Sequence, residues 1–182
     1  MGSYAFAYCT SLETAYWNAV NCSVQYSGGT NQFFAGCVAL KLIIGNNVKS
    51  ISNFMFEGCG MKKVIIGSGV TSIGSYAFYN CSNLTEITVG SNVTSIGDLA
   101  FYNCSSLIEI TIPARVTAIG MKAFLNCTSL ENANFASPSL WKISASSDFS
   151  YTRSISNTDL ADSATAAKYL KETYIGYYWK RG

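Results

Sequence analysis

Apolar and polar positions along this chain recur with a period of about 23 residues, far longer than the repeat of a helix or a strand. The recurring phrase in its fullest form ends Ala-Phe-x-Asn-Cys-x-x-Leu. Its cysteines, Cys37, Cys59, Cys81, Cys104 and Cys127, are separated by 22, 22, 23 and 23 residues. Each follows a phenylalanine three positions back: Phe34, Phe56, Phe78, Phe101 and Phe124. A self-similar period of about 20 to 50 residues is the mark of a solenoid, whose units stack because none can bury its apolar face alone.

Within the unit from Cys81 to Asn103, the alternation Ile87, Val89 has the period of two expected of a half-buried strand, and the turn Gly90-Ser91-Asn92 ends it. One short strand per repeat follows, and stacked repeats lay these strands side by side as a parallel sheet at about 4.8 Å. The returning arm, Val93 to Asn103, has apolar residues three to five apart and predicts irregular or short helical turns. Each apolar class then forms a column. One contains Leu40, Met61, Leu84, Leu107 and Leu130; a second, Val48, Val70, Val93 and Val116; a third, Ile51, Ile73, Ile96 and Ile119. The phenylalanines form the spine, and Gly74, Gly97 and Gly120 are expected at a tight turn of the backbone.

Two regions depart from the pattern. Cys9 and Cys37 are 28 residues apart, which predicts an inserted loop near 18–25 that includes Cys22. After Cys127 the strand weakens to Ala133 and Phe135, Pro138 interrupts, and Trp141-Lys142-Ile143 reads as a last, modified strand. The run from Ala164 to Thr173 is rich in helix formers, with Ser163 as its expected N-cap. This helix, with Ala166, Ala167, Leu170 and Tyr174 on one face, and the aromatic tail Tyr174, Tyr177, Tyr178 and Trp179 are expected to cap the last repeat. The domain organisation read from the sequence is a solenoid over 1–136 and a capping segment over 137–182.

Composition narrows the function classes. At 49% hydrophobic and 12% charged, 182 residues can bury a continuous core. The formal charge of +2 comes without a run of like charge, so neither a nucleic-acid nor an anionic-membrane surface is indicated. The longest apolar stretch, near Val38 to Gly45, contains Lys41 and is far short of the roughly 18 to 20 residues that a bilayer span needs. No membrane insertion is expected. Gly2 to Phe6 reproduces Gly74 to Phe78, so the chain reads as beginning in mid-repeat, as a piece of a longer protein with any secretory signal upstream.

Seven cysteines raise the question of metal or disulfide chemistry. The chain has no Cys-x-x-Cys pair and no histidine, which argues against zinc. The five repeat cysteines share one position beside the Phe and Leu columns and read as buried free thiols packing as small hydrophobes. A bond between Cys9 and Cys22 is left open. Without histidine, and with no oxyanion, phosphate or nucleophile motif, the sequence reads as non-enzymatic, with no cofactor. Asn-x-Ser/Thr occurs at Asn21, Asn80, Asn83, Asn92, Asn103 and Asn126, and several of these lie beside a repeat cysteine and follow from the composition of the repeat.

The residues left over are those that the strands turn outward. Alternation with Ile87 and Val89 inward gives one outward column of Lys41, Lys63, Glu86, Glu109 and Asn132, and a second of Ile43, Ile65, Thr88, Thr111 and Asn134. The face is graded, basic and apolar at one end, acidic and hydroxylic at the other. These columns are the candidate binding residues, and Lys41, Ile43, Lys63 and Ile65 are the first patch to consider. Lys63 and Glu86, neighbours across strands, are expected to offset each other's charge.

From Ile96-Gly97-x-x-Ala100-Phe101-x-x-Cys104-x-x-Leu107 through Ile110-x-Ile112-Pro113-x-x-Val116-x-x-Ile119-Gly120, the phrasing resembles the leucine-rich repeats of the BspA-like family, over a stretch from about Phe34 to Leu130. The resemblance implies an α/β fold, a right-handed leucine-rich-repeat solenoid. It also implies a cell-surface or secreted protein that adheres to a protein or glycan partner, including one derived from a host. The reading that follows is a non-enzymatic binding module. The rival is a structural spacer or stalk with no ligand of its own.

Overall fold

Period-two alternation places one short strand in each turn of the chain: β1 Thr14–Trp17, β2 Lys41–Ile44, β4 Lys63–Ile66, β6 Glu86–Thr88, β8 Glu109–Ile112 and β10 Asn132–Phe135. The structure is a computed structural model and describes residues 5–19, 33–150 and 152–182. The insertion expected at 18–25 falls, beyond Ala19, outside the described residues, as do Cys22, Asn21 and the first four residues. The six strands form one parallel sheet in the order β1-β2-β4-β6-β8-β10. Lys41 pairs with Lys63, Lys63 with Glu86, Glu86 with Glu109, and Glu109 with Asn132. That register sends Leu42, Ile44, Val64, Ile66, Ile87, Ile110 and Ile112 into the core. A slip of one residue would turn every one of them to the opposite face.

Each turn also carries a second strand of two residues: β3 Ser50–Ile51, β5 Ser72–Ile73, β7 Ser95–Ile96 and β9 Ala118–Ile119. These pair in parallel as the other wall of the solenoid. Two residues are too few for alternation to appear in the sequence, so this wall adds to the one strand per repeat expected there. The leucine, valine and isoleucine columns lie buried between the walls. The phenylalanine rings stack along the axis, with centroids 5.5 Å apart for Phe56 and Phe78, 5.3 Å for Phe78 and Phe101, and 5.2 Å for Phe101 and Phe124.

The returning arm is irregular because it contains two left-handed residues per turn. One series is Phe54, Tyr76, Leu99 and Lys122; the other is Gly36, Gly58, Asn80, Asn103 and Asn126. Asparagine and glycine tolerate this conformation best, which gives a backbone reason for the Asn or Gly before each repeat cysteine. Alternate amides of the arm reach the neighbouring turn, as in Phe78 N–H to Ala100 O and Phe101 N–H to Ala123 O, both 2.8 Å. Gly74, Gly97 and Gly120 are selected for a reason other than the tight turn expected of them. None has a positive φ, but a Cβ would lie 2.6, 2.5 and 2.4 Å from the backbone nitrogens of Asn53, Ser75 and Asp98 in the preceding turn. Glycine is what lets the turns approach this closely.

The two walls end on different devices. The parallel sheet ends at β10, which is packed by the helix α2 Ser163–Lys168. Its continuation is a π-helical turn, Tyr169–Thr173. A short helix, α1 Asn157–Ala161, precedes it. Ala166, Ala167 and Leu170 are buried and Tyr174 is half-buried. The cap of α2 is Asp162, whose carboxylate accepts the Thr165 amide at 2.8 Å, so Ser163 is the first helical residue and not the N-cap. The second wall ends on β13 Tyr178–Arg181, antiparallel to β9 with Trp179 opposite Ile119. Trp141–Ser144 is a strand, β11, but it pairs antiparallel with β13 and with β12 Arg153–Ser154, outside the parallel sheet. Trp141, Trp179 and Phe135 close the apolar end, with centroids 5.4 to 6.3 Å apart.

Candidate binding face

The parallel sheet presents two outward rows. One runs Thr14, Lys41, Lys63, Glu86, Glu109, Asn132, and the other, two residues further along each strand, runs Tyr16, Ile43, Ile65, Thr88, Thr111, Asn134. Strand pairing brings each residue beside its counterpart, so Lys41 and Lys63 are adjacent, as are Ile43 and Ile65. Glu86, Thr88, Glu109 and Thr111 are exposed, whereas Lys41, Ile43, Lys63 and Ile65 are half-buried. At the far end Asn132 accepts a hydrogen bond from the Ser163 hydroxyl at 2.9 Å, which ties that position to the cap.

Tyr16 is the residue that sequence reasoning missed. It is 72% exposed and stands in register with Ile43, so the apolar strip has three members, Tyr16, Ile43 and Ile65. The spacing contained the signal. Counting six and eight residues on from Cys81 gives the inward Ile87 and Val89, and the same count from Cys9 gives Ala15 and Trp17, leaving Tyr16 outward. The substitution of aliphatic residues by Ala and Trp hid the strand.

The charges of the first row are unequally satisfied. Lys63 and Glu86 form an ion pair on the exposed face, and hydrogen bonding and charge from Lys63 hold the Glu86 carboxyl below its ordinary range. An exposed pair of this kind contributes little to stability. Among the described residues, Lys41 and Glu109 form no ion pair. The row therefore reads plus, plus, minus, minus, with its compensated charges in the middle and its uncompensated charges at the ends.

The phenylalanine and cysteine columns lie on the inside. Phe34, Phe56, Phe78, Phe101 and Phe124 are buried, as are Cys37, Cys59, Cys81, Cys104 and Cys127. The repeat thiols are free, and each of three donates to a backbone carbonyl of the preceding turn: Cys81 to Phe56 O, Cys104 to Phe78 O and Cys127 to Phe101 O, at 3.1, 3.2 and 3.1 Å. Burial pushes the Cys59 and Cys127 thiols up to about 12 and raises Cys81 and Cys104 well above the ordinary value. A thiol held neutral in this way has no nucleophilic chemistry. Cys9 is free and exposed.

On the arm side the aromatic residues stack on one another. Phe54 and Tyr76, and Tyr79 and Tyr102, do so at 4.6 and 4.7 Å, so much of each ring face is filled by its neighbour. Among the described residues no cluster of three His, Cys, Asp or Glu side chains could hold a metal ion, and no helix is long and apolar enough to cross a membrane.

Comparison with known proteins returns repeats of the same kind. Six copies of the BspA type leucine rich repeat region match residues 1–59 and 29–156. Among solved structures, a leucine-rich repeat protein of T. pallidum is 29% identical over 50% of this chain and 45% of its own, with a TM-score of 0.49. One from Bacteroides capillosus is 30% identical over 48% of this chain and 63% of its own, with a TM-score of 0.43. A leucine rich cell surface protein of Faecalibacterium prausnitzii is 29% identical over 62% of this chain and 37% of its own, with a TM-score of 0.47. The chain thus spans less than two thirds of each of these proteins. No curated protein matches it.

Proposed function

The chain belongs to the BspA-type leucine-rich repeat family, and from that premise we propose that it is a non-enzymatic binding module whose parallel-sheet face docks a protein or glycan. The observation that carries the reading is the strip Tyr16, Ile43 and Ile65 beside Lys41 and Lys63. The core packs without the outward side of these residues, and an apolar centre with charged flanks is the arrangement in which a few residues dominate affinity. A surface or secreted location accords with the cell-surface relative from Faecalibacterium prausnitzii. The division into repeats over 1–136 and a cap over 137–182 belongs to the same reading.

One observation favours the rival reading, a spacer: the Lys63–Glu86 pair satisfies the middle of the face internally. The two are separated by presenting the unmodified protein and Tyr16→Ala to an array of matrix proteins and glycans. A binding module retains at least one ligand and loses roughly 30-fold in affinity without the Tyr16 ring, the scale of a hot-spot residue. A protein that retains nothing from the array, or a ligand indifferent to Tyr16, contradicts the proposed face.

A further inference from the structure

The order of charges across the sheet is its own complement. Along one level of the face the four inner strands present Lys41, Lys63, Glu86 and Glu109, one residue per strand, in register. Two such faces can meet about a two-fold axis that runs either along the strands or across them. An axis across the strands keeps the strand order and sets Lys41 against Lys41 and Glu109 against Glu109, which is repulsive. An axis along the strands, between β4 and β6, reverses the order and keeps the level. Lys41 of one copy then faces Glu109 of the other, and Lys63 faces Glu86. The same operation sets Ile43 opposite Thr111 and Ile65 opposite Thr88, with β1 and β10 meeting at the margins.

We propose that the sheet face is a self-recognition surface, whose occupant is a second copy of this chain docked face to face with antiparallel stacking directions. The inference rests on the reading of this face as the docking face and names one partner for it. The uncompensated charges argue for that partner. Lys41 and Glu109 form no ion pair within the described part of the chain, and the reversed order supplies each with an opposite charge. Lys63 and Glu86, already paired, become half of a four-charge network. A two-fold interface requires a self-complementary patch, and a plus, plus, minus, minus row satisfies that requirement for one axis and violates it for the other.

The footprint sets the strength. Six strands at about 4.8 Å and four residues along each cover roughly 300 Å² per copy, well below the about 800 Å² per partner of a standard stable interface. Association is therefore weak and salt-sensitive, because the charges that select it remain near solvent.

The test is sedimentation equilibrium of the full chain from about 5 μM to about 1 mM, at low salt and at about 0.5 M salt. Three proteins are compared: unmodified, Lys41→Glu with Lys63→Glu, and Glu86→Lys with Glu109→Lys. The unmodified chain is expected to dimerise as concentration rises and to dissociate in salt. Each double variant alone should lose at least about ten-fold in self-association, and their equimolar mixture should recover a heterodimer. Recovery on mixing also shows that both variants fold. An unmodified chain that stays monomeric at 1 mM in low salt overturns the proposal, as does a mixture of folded variants that forms no heterodimer. Either result leaves ligand capture on the array untouched, so failure of self-recognition and failure of the binding-module reading are distinguishable.

Discussion

Replacing Phe101 by alanine removes a ring that stacks on Phe78 at 5.3 Å and on Phe124 at 5.2 Å and is shielded from solvent. Truncations of this size cost about 3 to 5 kcal/mol, and the stack cannot collapse onto the void without shifting two further turns. Urea melts of Phe101→Ala are expected to show that loss, and a change below about 1 kcal/mol would contradict the ring's place in the core. The thiols add a dependence on pH. Burial raises Cys59 and Cys127 from 9.0 to about 12, so below about pH 8 both are neutral in folded and unfolded chains and their stabilisation is complete. Above that the unfolded chain releases these protons first, and stability falls as pH rises toward 12. At pH 10 the loss is about 1.4 kcal/mol for each thiol, and a Cys59→Ala, Cys127→Ala variant should show a correspondingly shallower fall between pH 8 and 10. Equal slopes for the two proteins would contradict the buried-thiol account.

At the scale of elements, what could be read from the sequence was whatever recurs once per turn at a constant offset. The Phe, Cys and Leu columns and the Val48 and Ile51 series each keep a constant offset, so their inward direction follows from the period alone. The two-residue strands carry the Ile51, Ile73, Ile96 and Ile119 column, but Ser-Ile is too brief to alternate, so the column was legible and the strand was not. Their existence depends on bonds to the next turn, such as Thr94 N–H to Thr71 O at 2.8 Å. Trp141-Lys142-Ile143 was legible as a strand, but its partner Tyr178–Arg181 lies at the other end of the capping segment, and no local pattern links the two. Tyr16 was obscured because its strand uses Ala15 and Trp17 where later turns use aliphatic residues. The cap can be tested directly. Removing residues after Ser137 deletes β13 from the edge of β9 and α2 from β10, leaving apolar strand edges in water. Aggregation or a broadened melt is expected, and a monomeric truncated protein with an unchanged melt would show that the tail is an appendage.

Across the whole molecule the labour is divided by side. The arm, with its phenylalanine stack, thiol hydrogen bonds and close glycine contacts, holds successive turns together. In the proposed reading the outward sheet rows contribute little to that stability and serve to recognise a partner. Substitutions on the two sides should therefore differ in kind, stability on one and binding on the other. The most direct measurement is the affinity of Ile43→Glu with Ile65→Glu, beside Thr88→Glu with Thr111→Glu, for a ligand that the unmodified chain retains from the array, with a melt of each protein. The account predicts that the threonine pair, at exposed positions, melts within about 1 kcal/mol of the parent, and that the half-buried isoleucine pair stays folded with a loss of no more than about 2 kcal/mol. It predicts that the isoleucine pair loses at least about ten-fold in affinity, and the threonine pair clearly less. Retained affinity in the isoleucine pair, or a loss of affinity that tracks unfolding, would contradict it.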